Sequence, residues 1–131
     1  MSLLSFYRAA LCIAVLSYLV LWYFPYMDKY LDSGQQEFLS YSGSWAIYLL
    51  PDWLSWSLFI AWNVGALGML LMRRLGRFIF LISVVLLIPL NILAGFTVIS
   101  PPEALLSHVV TSSEAVVLTL AYFSPLKERF W

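Results

Sequence analysis

Long uncharged, apolar stretches alternate with short charged segments along this chain. Four stretches occupy residues 9–27, 53–72, 78–102 and 104–126, and only the last is interrupted, by Glu114. They contain 19, 20, 25 and 23 residues. About 30 Å of hydrocarbon divided by a rise of about 1.5 Å per residue requires about 20 residues for one crossing. The pattern therefore predicts four transmembrane helices.

The charges that flank these stretches set the expected boundaries. We expect a single polytopic membrane domain over residues 1–131, with its spans at about residues 8–26, 53–72, 78–99 and 103–124. A cytoplasmic turn at residues 73–77 joins the second and third spans as an antiparallel hairpin. The predicted fold class is an all-α integral membrane protein, a bundle of four transmembrane helices.

The longest connection is an outer loop at residues 27–52. Within it, Phe38 to Pro51 is uncharged, rich in Tyr and Trp, and too short to cross a bilayer. Aromatic side chains favour the level of the lipid headgroups. We therefore expect a short interfacial segment in this first outer loop.

Basic residues are distributed unevenly between the two ends of the predicted bundle. Arg8, the three arginines of residues 73–77, Lys127 and Arg129 fall at one end, and Lys29 alone falls at the other. Loops rich in Lys and Arg stay in the cytoplasm. Both termini are therefore expected to be cytoplasmic, in a plasma or inner membrane.

Composition agrees with a lipid environment and excludes several kinds of function. The chain is 63% hydrophobic and 11% charged, against about 45–50% and about 25% in soluble domains. Its net charge of zero argues against nucleic-acid binding, which needs a basic surface. Cys12 and His108 are the sole residues of their types, so we expect neither a metal site nor a cofactor.

Small residues at helical spacing mark the face on which the second span is expected to pack. They are Ser57, Ala61, Gly65 and Gly68, and such residues let two helix backbones approach closely in lipid. Asn63 lies on a different side of the same helix. Both sides favour contact with protein, so this helix is either central in the bundle or shared with a partner chain.

Glu114 is the one charge-capable side chain deep within a predicted span. Counting the helical rise from the cytoplasmic end places Glu114 at a depth of about 18 Å, and Tyr18, Asn63 and Asn91 at about 13–20 Å. We expect these groups to form one polar layer, with Thr111 and Ser107 one and two turns outward. Trp62 also falls in mid-span, so its indole N–H needs a buried partner.

Two interpretations of this intramembrane polar site follow from the residues. A neutral Glu114 hydrogen-bonded to Asn63, Asn91, Tyr18 or a partner subunit would simply join helices. Alternatively, Glu114 exchanges a proton or binds a cation, which is the usual role of ionisable groups at this depth. His108, nearer the outer surface, is either a pH-sensitive group or an ordinary interfacial histidine.

The fourth span has a polar arc of about 160° and an apolar remainder at 100° per residue. The arc contains Ser107, His108, Thr111, Ser112, Glu114, Ala115, Thr119 and Tyr122. Since polar and small residues mark packed faces in lipid, we expect this arc to contact protein.

The sequence favours a non-enzymatic function. Catalysis needs several convergent groups, and here one carboxyl group has no evident partner acid or base. The first hypothesis is an accessory, assembly or immunity-type membrane subunit that acts through helix contacts, either with copies of itself or with another membrane protein. The alternative is a small oligomeric transporter or channel, coupled to protons or cations and centred on Glu114.

Overall fold

The computed structural model describes residues 2–23, 33–40, 51–93 and 99–131. In these ranges the chain forms α-helices and one 3₁₀ helix. The α-helices are α1 (Leu3–Tyr23), α2 (Ser33–Ser40), α3 (Asp52–Leu70), α4 (Arg74–Leu93) and α5 (Pro101–Phe123), and the 3₁₀ helix is Pro125–Arg129. Helices α1, α3, α4 and α5 contain 21, 19, 20 and 23 residues and are apolar enough to cross a membrane. The prediction of an all-helical chain with four helices of membrane-spanning length and hydrophobicity is confirmed.

The helix ends differ in places from those expected from the charges. Helix α1 begins at Leu3 and therefore includes Arg8. Helix α4 begins at Arg74, so the reversal between α3 and α4 occupies residues 71–73. A charged side chain does not end a helix by itself, because a long arginine side chain can extend away from the hydrocarbon while its backbone stays helical.

Some predictions fall on parts of the chain that the structure does not describe. Residues 41–50 of the expected interfacial segment lie outside the described residues. The same is true of residues 24–26, at the expected end of the first span, and of residues 94–98, near the end of the third. Within the long connection, Ser33–Ser40 forms the short helix α2.

The four long helices associate as two pairs, α1 with α5 and α3 with α4, and contact between the pairs is less extensive. One cluster of buried side chains connects both pairs. Its members in the four long helices are Tyr7, Leu11 and Ala14 of α1, Trp62, Ala66 and Met69 of α3, Phe80 of α4, and Val117 and Ala121 of α5. The four-helix arrangement therefore has a single continuous core.

Glycines allow the backbones of α3 and α4 to touch. A Cβ atom added to Gly65 would lie closer than 3.0 Å to the backbone of Phe80. One added to Gly68 would meet the Cα atom of Gly76, and one added to Gly76 would meet the backbone of Gly68. Such a contact gains van der Waals attraction between main chains.

This contact involves only part of the small-residue face expected on the second span. Gly65 is buried, whereas Ala61 is half-buried and Ser57 is exposed. The Ser57 hydroxyl donates a 2.7 Å hydrogen bond to the carbonyl of Trp53 in its own helix. The contact therefore lies towards the end of the helix pair nearest the α3–α4 reversal.

The C-terminal residues are attached to the reversal between α3 and α4. The Trp131 amide donates to the Met72 carbonyl at 2.9 Å, and the Arg74 amide donates to the Trp131 carbonyl at 3.0 Å. The guanidinium of Arg73 lies 3.3 Å from the centre of the Trp131 ring. Phe130 is buried against Tyr7 of α1. This end of the bundle is therefore fixed by contacts from three parts of the chain.

We predict that Gly76→Ala destabilises the protein by about 1–3 kcal/mol, the usual cost of an oversized residue in a packed contact. The added methyl group would force α3 and α4 apart, because its nearest neighbours are backbone atoms. The free energy of unfolding, measured by titrating detergent-solubilised protein with SDS, checks this. Gly34→Ala is the matched control, since a Cβ there meets nothing within 4 Å. Equal stability of the two variants would contradict the close contact.

Candidate functional site

A hydrogen bond between Trp62 and Glu114 lies at the centre of the bundle. The Trp62 indole Nε1 donates to the Glu114 Oε1 at 2.7 Å. Trp62 is fully buried and Glu114 is 8% exposed. A buried polar group without a hydrogen-bond partner is costly. The indole N–H and the carboxyl oxygen each supply the partner that the other needs. The bond joins α3 to α5, and so it connects the two helix pairs.

Aromatic rings surround Trp62 and fix its position. The Tyr18 ring lies 4.2 Å from it, measured between centroids, and the Phe80 ring lies 5.1 Å from it. Tyr18 also stacks on Phe59 at 5.7 Å, and Phe59 stacks on Trp22 at 4.4 Å. Contacts from α1 and α4 therefore orient the indole N–H towards α5.

A cavity of about 670 Å³ opens between α1, α4 and α5, and Glu114 forms part of its wall. Its other lining residues are Tyr18, Leu21, Trp22, Val84, Leu87, Ile88, Asn91, Ser107, Val110 and Thr111. Among the described residues, Trp62 is the side chain that donates a hydrogen bond to Glu114, and it uses one carboxyl oxygen. The other oxygen accepts none from this part of the chain. It is not fully buried, since no fully buried side-chain oxygen or nitrogen of the described residues lacks a hydrogen-bond partner, and Glu114 belongs to the cavity wall.

Five of the six residues expected in the intramembrane polar site line this cavity: Tyr18, Asn91, Ser107, Thr111 and Glu114. Among the described residues, no hydrogen bond joins the side chain of one of them to the side chain of another. The Thr111 hydroxyl donates to the Ser107 carbonyl at 2.9 Å in its own helix. Asn63 is elsewhere, half-buried on α3, and its amide donates to the Phe59 carbonyl at 2.8 Å.

Trp62 was not among the residues expected at the site, although it supplies the hydrogen bond to Glu114. The available signal was its position in mid-span, which leaves an indole N–H in need of an acceptor. Glu114 was the strongest acceptor at a similar depth. Helical spacing alone cannot pair residues 52 positions apart in the sequence, because the rotation of each helix is set by packing.

The polar arc of the fourth span lies only partly against protein. The buried stripe of α5 consists of Val110, Glu114, Val117 and Ala121. Residues from the rest of the arc are exposed, namely His108, Thr111, Ser112, Ala115 and Thr119. Within this chain, the expected contact of the arc with protein is therefore found at Glu114, whereas these five residues are exposed, and Thr111 among them lies at the cavity. Helix α5 is rotated so that small apolar residues pack against α1.

The site offers one carboxyl group beside a largely apolar cavity. No group of three or more His, Cys, Asp or Glu residues within the described ranges is placed to hold a metal ion. The arrangement can exchange a proton at the carboxyl group, or it can pair that group with a cationic ligand. No family model, no curated protein and no solved structure matches the chain, so function has to be inferred from this geometry.

We predict that Trp62→Phe lowers the free energy of unfolding by about 1–3 kcal/mol, the cost of leaving a buried polar group without its partner. The substitution keeps an aromatic ring but removes the donor to Glu114. Unfolding in SDS measures the change. Trp56→Phe is the control, because Trp56 is 48% exposed. An equal effect of both substitutions would show that the hydrogen bond contributes nothing to stability.

Proposed function

We propose that this protein is a non-enzymatic accessory, assembly or immunity-type membrane subunit. It acts through contacts between its helices and those of further copies of itself or of another membrane protein. The observation that carries the proposal is the exposed face of α5, formed by His108, Ser112, Ala115 and Thr119. We call these four residues the α5 polar face.

This face differs from the other exposed helix surfaces of the protein. The exposed positions of the other long helices are mostly large and apolar, as at Leu16 of α1, Ile60 of α3 and Val85 of α4. Those side chains are suited to contact with acyl chains. Small and hydroxyl-bearing residues are instead enriched where transmembrane helices pack together. A partner helix would therefore gain closer contact on the α5 polar face than on any of these apolar surfaces.

We further propose that both termini lie in the cytoplasm of a plasma or inner membrane, with the interfacial segment on the outer side. Arg73 and Arg74 lie at the α3–α4 reversal, and the C-terminal residues are bonded to that same reversal. Lys127 and Arg129 belong to the adjoining 3₁₀ helix. The clustering of these basic residues at one end supports this orientation through the preference of Lys and Arg for the cytoplasmic side.

We predict that a cysteine placed at Ala115 forms an intermolecular disulfide or cross-link in native membranes, whereas one at Val85 does not. Both positions are exposed within long helices, but only Ala115 belongs to the α5 polar face. The variants are made in a Cys12→Ser background, because Cys12 is a free, exposed cysteine. The mass of the product identifies a second copy or a different chain. Cross-linking at neither position, or equally at both, would refute a specific interface on this face.

A second candidate function is a small oligomeric transporter or channel coupled to protons or cations. The observation that favours it is the cavity that reaches the carboxyl group of Glu114. An ionisable group deep in a membrane is costly, and it is usually retained where it carries a proton or an ion. Through the cavity, this carboxyl group can exchange a proton or an ion with its surroundings, which a fully enclosed carboxyl group could not do.

For this second function we predict that Glu114→Gln reduces proton flux to the level of protein-free liposomes. The amide keeps an acceptor for the Trp62 indole but neither binds nor releases a proton. A pH-sensitive dye trapped in the liposomes reports the flux. Glu128→Gln makes the same chemical change at an exposed position of the 3₁₀ helix and is expected to leave flux unchanged. Full flux in Glu114→Gln would exclude this function.

A further inference from the structure

We propose that the cavity between α1, α4 and α5 binds an amphiphilic ammonium ion, with its charged head at Glu114 and its hydrocarbon tail along the apolar wall. The inference rests on the second candidate function, because it assigns a ligand class to the same site. It concerns binding at equilibrium, which is measured separately from transport, so that a failure of the ligand assignment and a failure of transport can be told apart.

The charge of the ligand follows from the ionisable groups around the cavity. Glu114 contributes a carboxyl oxygen that accepts no hydrogen bond from the described residues. Neither a Lys, an Arg nor a His belongs to the cavity wall in this part of the chain. A cation can pair with the carboxylate, whereas an anion would meet a like charge in a medium of low dielectric constant. The site therefore selects for positive charge.

The aromatic side chains indicate the type of cation. Tyr18 and Trp22 form part of the same wall as Glu114. Aromatic rings attract ammonium groups through their negative faces, and quaternary ammonium groups are recognised in this way. A small hydrated metal ion would instead need several oxygen ligands around it, and a single carboxyl group is a poor match for that requirement.

The remaining wall indicates that the ligand also has an apolar part. It is formed by Leu21, Val84, Leu87, Ile88 and Val110, with Asn91, Ser107 and Thr111 as the other polar members. The volume of about 670 Å³ falls within the range of about 300–1,000 Å³ that is typical of sites for organic ligands. A site that only exchanges a proton does not need a cavity of this volume.

These features favour a free cationic amphiphile over a zwitterionic phospholipid. A phospholipid head that carries an ammonium group also carries a phosphate group. That phosphate would lie close to Glu114 with no basic side chain of the described wall to pair with it. Burying an unpaired charge is costly. The site is therefore complementary to an ammonium group attached directly to a hydrocarbon chain.

Binding of such a ligand must compete with a proton at Glu114. Among the described residues around this carboxyl group, the titratable group is the Tyr18 phenol of α1. Helix α3 contributes Trp62, and α4 contributes Asn91 and apolar side chains, none of which titrates. The ammonium ion pairs with the carboxylate and not with the neutral acid. Affinity is therefore expected to rise with pH, and this rise should disappear in Glu114→Gln.

The test measures binding of tritiated dodecyltrimethylammonium to the full chain in phosphatidylcholine nanodiscs, with empty nanodiscs as background. Glu114→Gln should weaken the affinity at least about tenfold, because it removes the charge of a buried pair. Leu87→Trp should also weaken binding, since it fills the cavity and leaves the carboxyl group intact. Glu128→Gln should bind as the unmodified protein does. Unfolding in SDS confirms that each variant is folded.

Competition with dodecylphosphocholine distinguishes a cationic amphiphile from a zwitterionic lipid. The two compounds share the tail and the quaternary ammonium group, and they differ by the phosphate. Equal competition by the zwitterion would overturn the assignment, as would unchanged affinity in either Glu114→Gln or Leu87→Trp. Binding without proton flux would support the ligand class and exclude transport, whereas flux without binding would exclude the ligand class only.

Discussion

The hydrogen bond from Trp62 to Glu114 is the interaction on which the centre of this bundle depends. Hydrocarbon offers no partner for an indole N–H or a carboxyl group, so each has to be satisfied by another part of the protein. At 2.7 Å the two groups satisfy each other and join the α3–α4 pair to the α1–α5 pair. The surrounding rings of Tyr18 and Phe80 hold the indole in position, so the polar contact and the aromatic packing support each other.

The two ends of the bundle are constructed differently. At one end, Gly68 and Gly76 bring α3 and α4 into backbone contact. The C-terminal residues bond to the α3–α4 reversal at this end. Here the Arg77 guanidinium also donates a hydrogen bond to the Ala121 carbonyl of α5 at 3.1 Å. Helices α4 and α5 share little contact overall, and the cavity lies between them and α1. Glu114 forms part of the cavity wall, and one of its carboxyl oxygens accepts the hydrogen bond of Trp62 while the other accepts none from the described residues.

The two proposed functions use different sides of α5. The α5 polar face is directed away from the core, and we propose that a partner helix covers it. The cavity lies on the side of the helix that faces α1 and α4, and we propose that it receives a cation. Because these surfaces are separate, a partner on the face and a ligand in the cavity do not compete for the same residues. A subunit that associates through α5 can therefore keep its Glu114 site open.

The amino-acid sequence by itself determined that the chain forms four long apolar helices, because the lengths of its uncharged stretches match the thickness of a bilayer and helical rise is constant. It also predicted one polar site of Glu114, Thr111, Ser107, Asn63, Asn91 and Tyr18, and the structure brings all of these except Asn63 to one cavity wall. Only the tertiary structure decided that Trp62 bonds to Glu114, that Gly76 meets Gly68, and that much of the polar arc of α5 is exposed. These features depend on how far each helix is rotated about its axis, and that rotation is set by side chains packing across helices that are distant in the sequence.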